Sequence, residues 1–187
     1  MIDLKPASRQ MAGLLAGVSG DQLADSTPCT EYHVGDLIDH VDHLSRIFGA
    51  LARGDTDGVA AAATTGPGAA HLDPDWRHHV TAHVEDLGTA WDDPAAWVGV
   101  GQVPGSDLSN EVWGKITLTE LVVHGWDLAT ATSQPFDLPQ ATLQACLDHV
   151  AAFIPAAPIP ALWGPAHEVA SGATLLDKIV AITGRTP

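Results

Sequence analysis

Cysteine is nearly absent: Cys29 and Cys146 are the only two in 187 residues. Two thiols far apart in sequence make neither a disulfide framework nor a thiolate metal site. A reducing, cytoplasmic setting is therefore expected, and any metal would have to be held by imidazole and carboxylate. Basic side chains are scarce as well. Eight Lys and Arg stand against 23 Asp and Glu, a formal charge of −15. So few cations cannot build the phosphate-neutralising surface that nucleic-acid binding needs, and an anionic membrane would repel the chain. No run of about 18 apolar residues is present to span a bilayer. The start, Met1-Ile2-Asp3-Leu4-Lys5-Pro6, lacks the basic-then-apolar pattern of a secretory signal. Gly-x-Gly-x-x-Gly, a phosphate loop and Gly-x-Ser-x-Gly are all missing.

What is present is apolar residues at 45%, ordinary for a folded protein, and ten histidines, more than the Lys and Arg together. The length fits one domain spanning residues 1–187. Helical spacing of apolar residues recurs along it. Leu4, Met11, Leu14, Leu15 and Val18 predict a first helix over 3–18. Val34, Leu37, Ile38, Val41, Leu44, Phe48 and Leu51 predict a second from Val34 to Ala52, stopped by Gly54. Residues 54–70 are rich in Gly, Ala and Thr and read as a loop. A third helix is expected from Asp73, with Pro74 in its first turn, to Trp91. The segment 97–105 looks extended, a short strand or hairpin. Ser106 or Ser109 then caps a long fourth helix reaching Ala131, and a fifth runs from about Asp137 to Phe153. Pro155, Pro158 and Pro160 break the chain before a last short helix from Ala173 to Ile182. The expected architecture is an all-α bundle.

Helical arithmetic sorts the histidines. At about 100° per residue, Glu120, His124 and Asp127 fall within an arc about 60° wide on a helix otherwise apolar nearly all round. Unpaired buried charges are costly, so that arc is either a solvated stripe with a Glu–His ion pair or a set of groups that satisfy one another around a cation. On the second helix His40 lies on the shoulder of the apolar stripe, whereas His43 points further out and reads as solvated. His79 and His83, also four apart, form a competing pair, yet no third donor accompanies them by pattern. His33, His71, His149 and His167 read as surface or cap residues. Cys29, beside Pro28, reads as a small apolar residue packing a turn, with a nucleophile as the alternative. The tryptophans at 97, 113, 126 and 163 read as core.

Two segments carry a resemblance. Residues 29–40, from Cys29-Thr30-Glu31-Tyr32 to Asp36-Leu37-Ile38-Asp39-His40, resemble a C-x-x-W-x-V-x-D-L-x-x-H motif. Glu120-Leu121-Val122-Val123-His124-Gly125-Trp126-Asp127-Leu128-Ala129 resembles E-x-x-x-H-G-W-D-L-A. Both belong to the DinB-like superfamily, in its actinobacterial branch named for mycothiol-dependent maleylpyruvate isomerase, and the tail from Trp163 also resembles its short members. The resemblance implies a four-helix up-down-down-up bundle. It also implies a divalent metal, zinc first and nickel second, held by His40, Glu120 and His124, with Asp127 orienting an imidazole rather than binding the ion. Tyr32 departs from the motif's Trp. The isomerases carry a further C-terminal domain that supplies a catalytic Arg. None of Arg9, Arg46, Arg53, Arg77 and Arg185 matches it, so maleylpyruvate isomerisation itself is not expected.

The resemblance thus implies a metal- and low-molecular-weight-thiol-dependent transferase or isomerase, mycothiol being the thiol, acting on a small electrophile. The alternatives are a non-catalytic metal-binding or stress-related bundle and a metal-free helical module. A small-molecule partner and a monomer or homodimer are expected. No general base stands out.

Overall fold

The computed structural model describes residues 1–63, 68–156 and 163–187. Among these, seven α-helices and one β-hairpin form the chain. The first helix, α1 (Lys5–Gly17), starts with Pro in its first turn, where the missing N–H has no intrahelical role. The second, α2 (Val34–Ala52), has the bounds its apolar stripe predicts, and the backbone N–H of His33 donates to Asp36 Oδ2 at 3.2 Å across its N-terminus.

The expected loop at 54–70 is corrected in part. A short helix, α3 (Thr56–Ala62), stands there, and residues 69–71 form a single 3₁₀ turn. Asp55 caps α3 by accepting the Gly58 N–H at 2.9 Å. Val59 and Ala62 bury its inner face against α2. Seven residues are too few to show the periodicity that reveals a longer helix. Residues 64–67 of the expected loop, and Pro158 and Pro160 of the expected break, lie outside the described residues.

The third expected helix begins later than predicted, as α4 (Trp76–Ala90). Asp73 Oδ1 accepts the Asp75 N–H at 2.7 Å, a local turn that keeps Pro74 out of the helix. The extended segment expected at 97–105 is shifted: Pro94–Trp97 forms a 3₁₀ turn, and the hairpin consists of β1 (Val100–Val103) and β2 (Ser106–Ser109), turned at Pro104-Gly105 with Gly105 at φ 90°. Ser109, not Ser106, then caps α5 (Asn110–Thr132), its hydroxyl accepting the Val112 N–H at 3.4 Å. The fifth expected helix also starts late, as α6 (Gln140–Phe153) after Pro139. The last, α7 (Leu175–Ile182), is capped by a reciprocal pair between Thr174 and Asp177.

The helices α1, α2, α4 and α5 close a four-membered ring: α1 and α2 each pack on both α4 and α5. Their shared core includes Met11, Leu15, Leu37, Val84 and Leu118, all essentially inaccessible to solvent. On the outer side of α5 sits α6, and α7 packs on α6. Among the described residues no helix is long and apolar enough to cross a membrane.

Candidate metal centre

α5 is buried on nearly every side, so its polar residues must find partners inside the protein. Glu120 and His124 stand one turn apart on it, facing His40 from α2. Glu120 Oε2 lies 3.1 Å from His124 Nε2 and 3.7 Å from His40 Nε2. The two imidazoles meet edge to face, 5.0 Å between centroids. The arc expected from the sequence therefore turns inward, and one donor atom from each of the three residues falls within 4.8 Å of the others.

The far side of each ring is also held. Asp127 Oδ2 is 3.0 Å from His124 Nδ1, and Asp127 is itself fully buried. Behind it stands Arg185, whose Nε and Nη2 donate to the two carboxylate oxygens at 3.2 and 2.8 Å. A third donor, Nη1, reaches the Thr183 carbonyl at 2.7 Å. Tyr32 occupies the position behind His40, with its hydroxyl 3.5 Å from Nδ1.

Electrostatics follow from that wiring. Burial alone would push His124 down, but its bonds to Asp127 and Glu120 outweigh burial and hold it at about 9. Burial raises Glu120, yet the two histidines overcome this and keep it far below the ordinary carboxylate range. Asp127 is likewise lowered by His124 and Arg185 against its own burial. Burial pushes both thiols up, Cys146 to about 12, so neither is an activated nucleophile.

A second grouping, Cys29 with His124 and Asp127, also brings three donors within 4.8 Å. Its Asp127 is already committed to the Arg185 fork. The competing pair on α4 forms no such grouping among the described residues. His79 pairs with Asp73 at 3.0 Å and His83 with Asp42 at 2.6 Å, both imidazoles half-exposed. His33 stands at the start of α2 and His71 pairs with Asp39 at 3.1 Å, surface and cap roles as expected. His43, expected to be solvated, is half-buried, and burial lowers it.

The triad forms part of the floor of a cavity of about 790 Å³. Phe48 and Trp113 give it apolar walls, the hairpin and the 28–32 turn line its rim, and α6 and the tail close the far side. Two residues of that far wall escaped the sequence. Arg185 belongs to no periodic element and meets a carboxylate 58 positions away. His149, expected at the surface, is only 8% exposed. Its signal was the α6 spacing Thr142, Cys146, His149, Val150, Phe153, on which it shares the inward face.

The chain is similar to known proteins. Residues 4–129 match the family described as the mycothiol maleylpyruvate isomerase N-terminal domain. Two uncharacterized proteins from two strains of Mycobacterium tuberculosis are each 32% identical over 138 residues, covering 71% of this chain and 66% of theirs. The match therefore spans slightly less than two thirds of those relatives' length. The crystal structure of the mycothiol-dependent maleylpyruvate isomerase superposes with a TM-score of 0.53 at 17% identity, and a histidine-to-alanine variant of it with 0.55 at 15%. Each superposition covers 80% of this chain and 65% of that one. At such identities the likeness shows a shared fold.

Proposed function

Because the chain belongs to the mycothiol maleylpyruvate isomerase N-terminal domain family, we propose that it is a divalent-metal protein that uses a low-molecular-weight thiol, such as mycothiol, to act on a small electrophile by transfer or isomerisation. The observation that supports this reading most is the convergence of His40, Glu120 and His124 at one cavity. The donor set suits zinc, and nickel after it: two imidazoles and one carboxylate, the number that leaves a catalytic ion open positions. When bound, such an ion would act as a Lewis acid and lower the pKa of a coordinated thiol.

The chain's own residues do the remaining work in this reading. Asp127 accepts a hydrogen bond from His124 Nδ1–H, which fixes that proton on Nδ1 and would leave Nε2 to hold an ion. Arg185 keeps Asp127 ionised and still. Phe48 and Trp113 give the cavity apolar surface, which lowers the local dielectric and strengthens electrostatic contacts beside it. The competing reading is a metal-free ion-pair network, for which the 3.1 Å contact between Glu120 and His124 speaks.

Metal analysis of tag-free protein after reconstitution decides between them. Uptake of about one equivalent of zinc is expected, lost in His40→Ala, Glu120→Ala and His124→Ala. Glu120→Ala should weaken binding more than Asp127→Ala, whose loss is about 10–100-fold. Uptake below about 0.2 equivalents, unchanged by His124→Ala, sinks the metal reading. Cobalt-substituted protein should then gain a thiolate charge-transfer band when mycothiol is added. A loaded site that takes up no thiol would leave a non-catalytic metal protein.

A further inference from the structure

We propose that the electrophile taken by this cavity is an uncharged, carbonyl-bearing molecule with an apolar body, and that His149 donates the hydrogen bond that fixes its carbonyl oxygen. This rests on reading the cavity as the substrate site. Three observations carry it.

First, His149 is buried on the cavity wall and, among the described residues, has neither a hydrogen-bond nor an ion-pair partner. Phe153 stacks on its ring at 4.9 Å and 24°. A ring nitrogen on the cavity wall that no protein group engages is free to bond a ligand oxygen. The indole N–H of Trp163, on the same cavity, is buried and unpartnered among the described residues too. That indole nitrogen is sealed from solvent, so His149 is the donor this wall presents to a ligand.

Second, the cavity has no cation to spare. Among the described residues that line it, Arg185 is the single Lys or Arg, facing two acids, Glu31 and Glu120. Its fork is spent on Asp127 and its third bond on the Thr183 carbonyl. A divalent ion at the triad would face Glu120 and the thiolate it takes, whose two negative charges cancel it. A substrate carboxylate would thus be desolvated with no free Lys or Arg to pair with. Burial, helped by the charge of Lys115, pushes His149 down to about 4, so at neutral pH it offers an N–H without a charge.

Third, the lining of the cavity includes a set of bulky apolar groups, Leu44, Phe48, Trp113, Ile116 and Val150. These suit a hydrocarbon body rather than a polyhydroxylated one.

The test uses the full chain, metal-free and zinc-loaded, and three probes of one skeleton. Benzalacetone carries a ketone, trans-cinnamate replaces its methyl with a charged oxygen, and 1-phenyl-1-butene lacks the carbonyl. Dissociation constants are read by saturation-transfer NMR, with folding of each variant checked by circular dichroism. Benzalacetone should bind at least about tenfold tighter than cinnamate. His149→Leu should weaken benzalacetone about fivefold and leave the hydrocarbon unchanged, and His149→Gln, which restores an N–H, should recover most of the loss. Cinnamate binding as tightly as the ketone, binding of neither, or equal loss of ketone and hydrocarbon in His149→Leu overturns the proposal. If His149→Leu does not fold, the ketone-to-cinnamate ratio and His149→Gln decide it. Failure to take up zinc would sink the functional reading alone, because the ketone preference is also read in the metal-free form.

Discussion

Arg185 is the partner on which the buried charge of Asp127 depends. Both side chains are below a tenth exposed, so Arg185→Met strands a carboxylate in a medium that cannot solvate it. The expected loss is about 3–5 kcal/mol by urea unfolding, since removing one partner of a buried pair costs far more than the pair's net worth. Asp127→Asn in the same chain should recover about half of it. An additive double variant would show that the two residues do not act together. His124 supports a second prediction. At about 9 it carries both ring protons at neutral pH, and an ion at Nε2 must displace one. Zinc affinity should therefore rise by about tenfold per pH unit between roughly 7 and 9, with about one proton released per ion by calorimetry in buffers of different ionisation enthalpy. An affinity flat over that range contradicts the wiring. His40, Glu120, His124 and Asp127 were legible because they sit on long periodic helices, where angle is readable from number. Arg185 was not, because nothing local in Gly184-Arg185-Thr186-Pro187 encodes a contact with α5.

Among the elements, α5 shows how closely its neighbours approach. A Cβ at Gly114 would lie 2.7 Å from the Trp97 ring and 2.9 Å from the Trp91 ring. Those rings meet edge to face at 5.2 Å, Trp91 is 1% exposed, and the half-buried Trp97 is tied by its indole N–H to the Trp91 carbonyl at 2.9 Å, so neither moves without disturbing the other. Gly114→Ala should therefore lose about 1–3 kcal/mol although alanine is the better helix former. At Gly125 the clash is with Phe136, a half-buried ring beyond the helix end that can swing aside. Gly125→Ala should cost less than about 1 kcal/mol. Thermal unfolding of the two variants separates the cases, and equal losses would mean the tryptophan pair yields as easily as Phe136. The bounds of α2 were readable from the sequence because its stripe runs through five turns and a Gly stops it. The helix α3 was not, since its seven small residues are held by Asp55 and by packing on α2 rather than by any pattern of their own.

At the scale of the whole molecule, acid should unfold the chain partly through His149. Its value is depressed from the ordinary 6.5 to about 4 in the folded state. Stability is then fully present above about 6.5 and is lost as pH falls toward 4, by about 2–3 kcal/mol. Urea unfolding between pH 7 and pH 4 should show a shallower decline in His149→Gln, and parallel slopes would mean His149 titrates normally when folded. The ring of α1, α2, α4 and α5 was foreseeable from four long amphipathic or buried stretches, whereas the cavity was not, because it lies between elements that are distant in sequence. That separation has an evolutionary meaning. The triad sits within residues 4–129, the stretch that matches the family, while His149, Phe153, Trp163 and Arg185 come from the stretch after it. Except for Arg185, which braces Asp127, that wall can drift in shape and polarity without disturbing a single ligand candidate. Substitutions on that wall can therefore reshape the pocket while leaving His40, Glu120 and His124 where they stand.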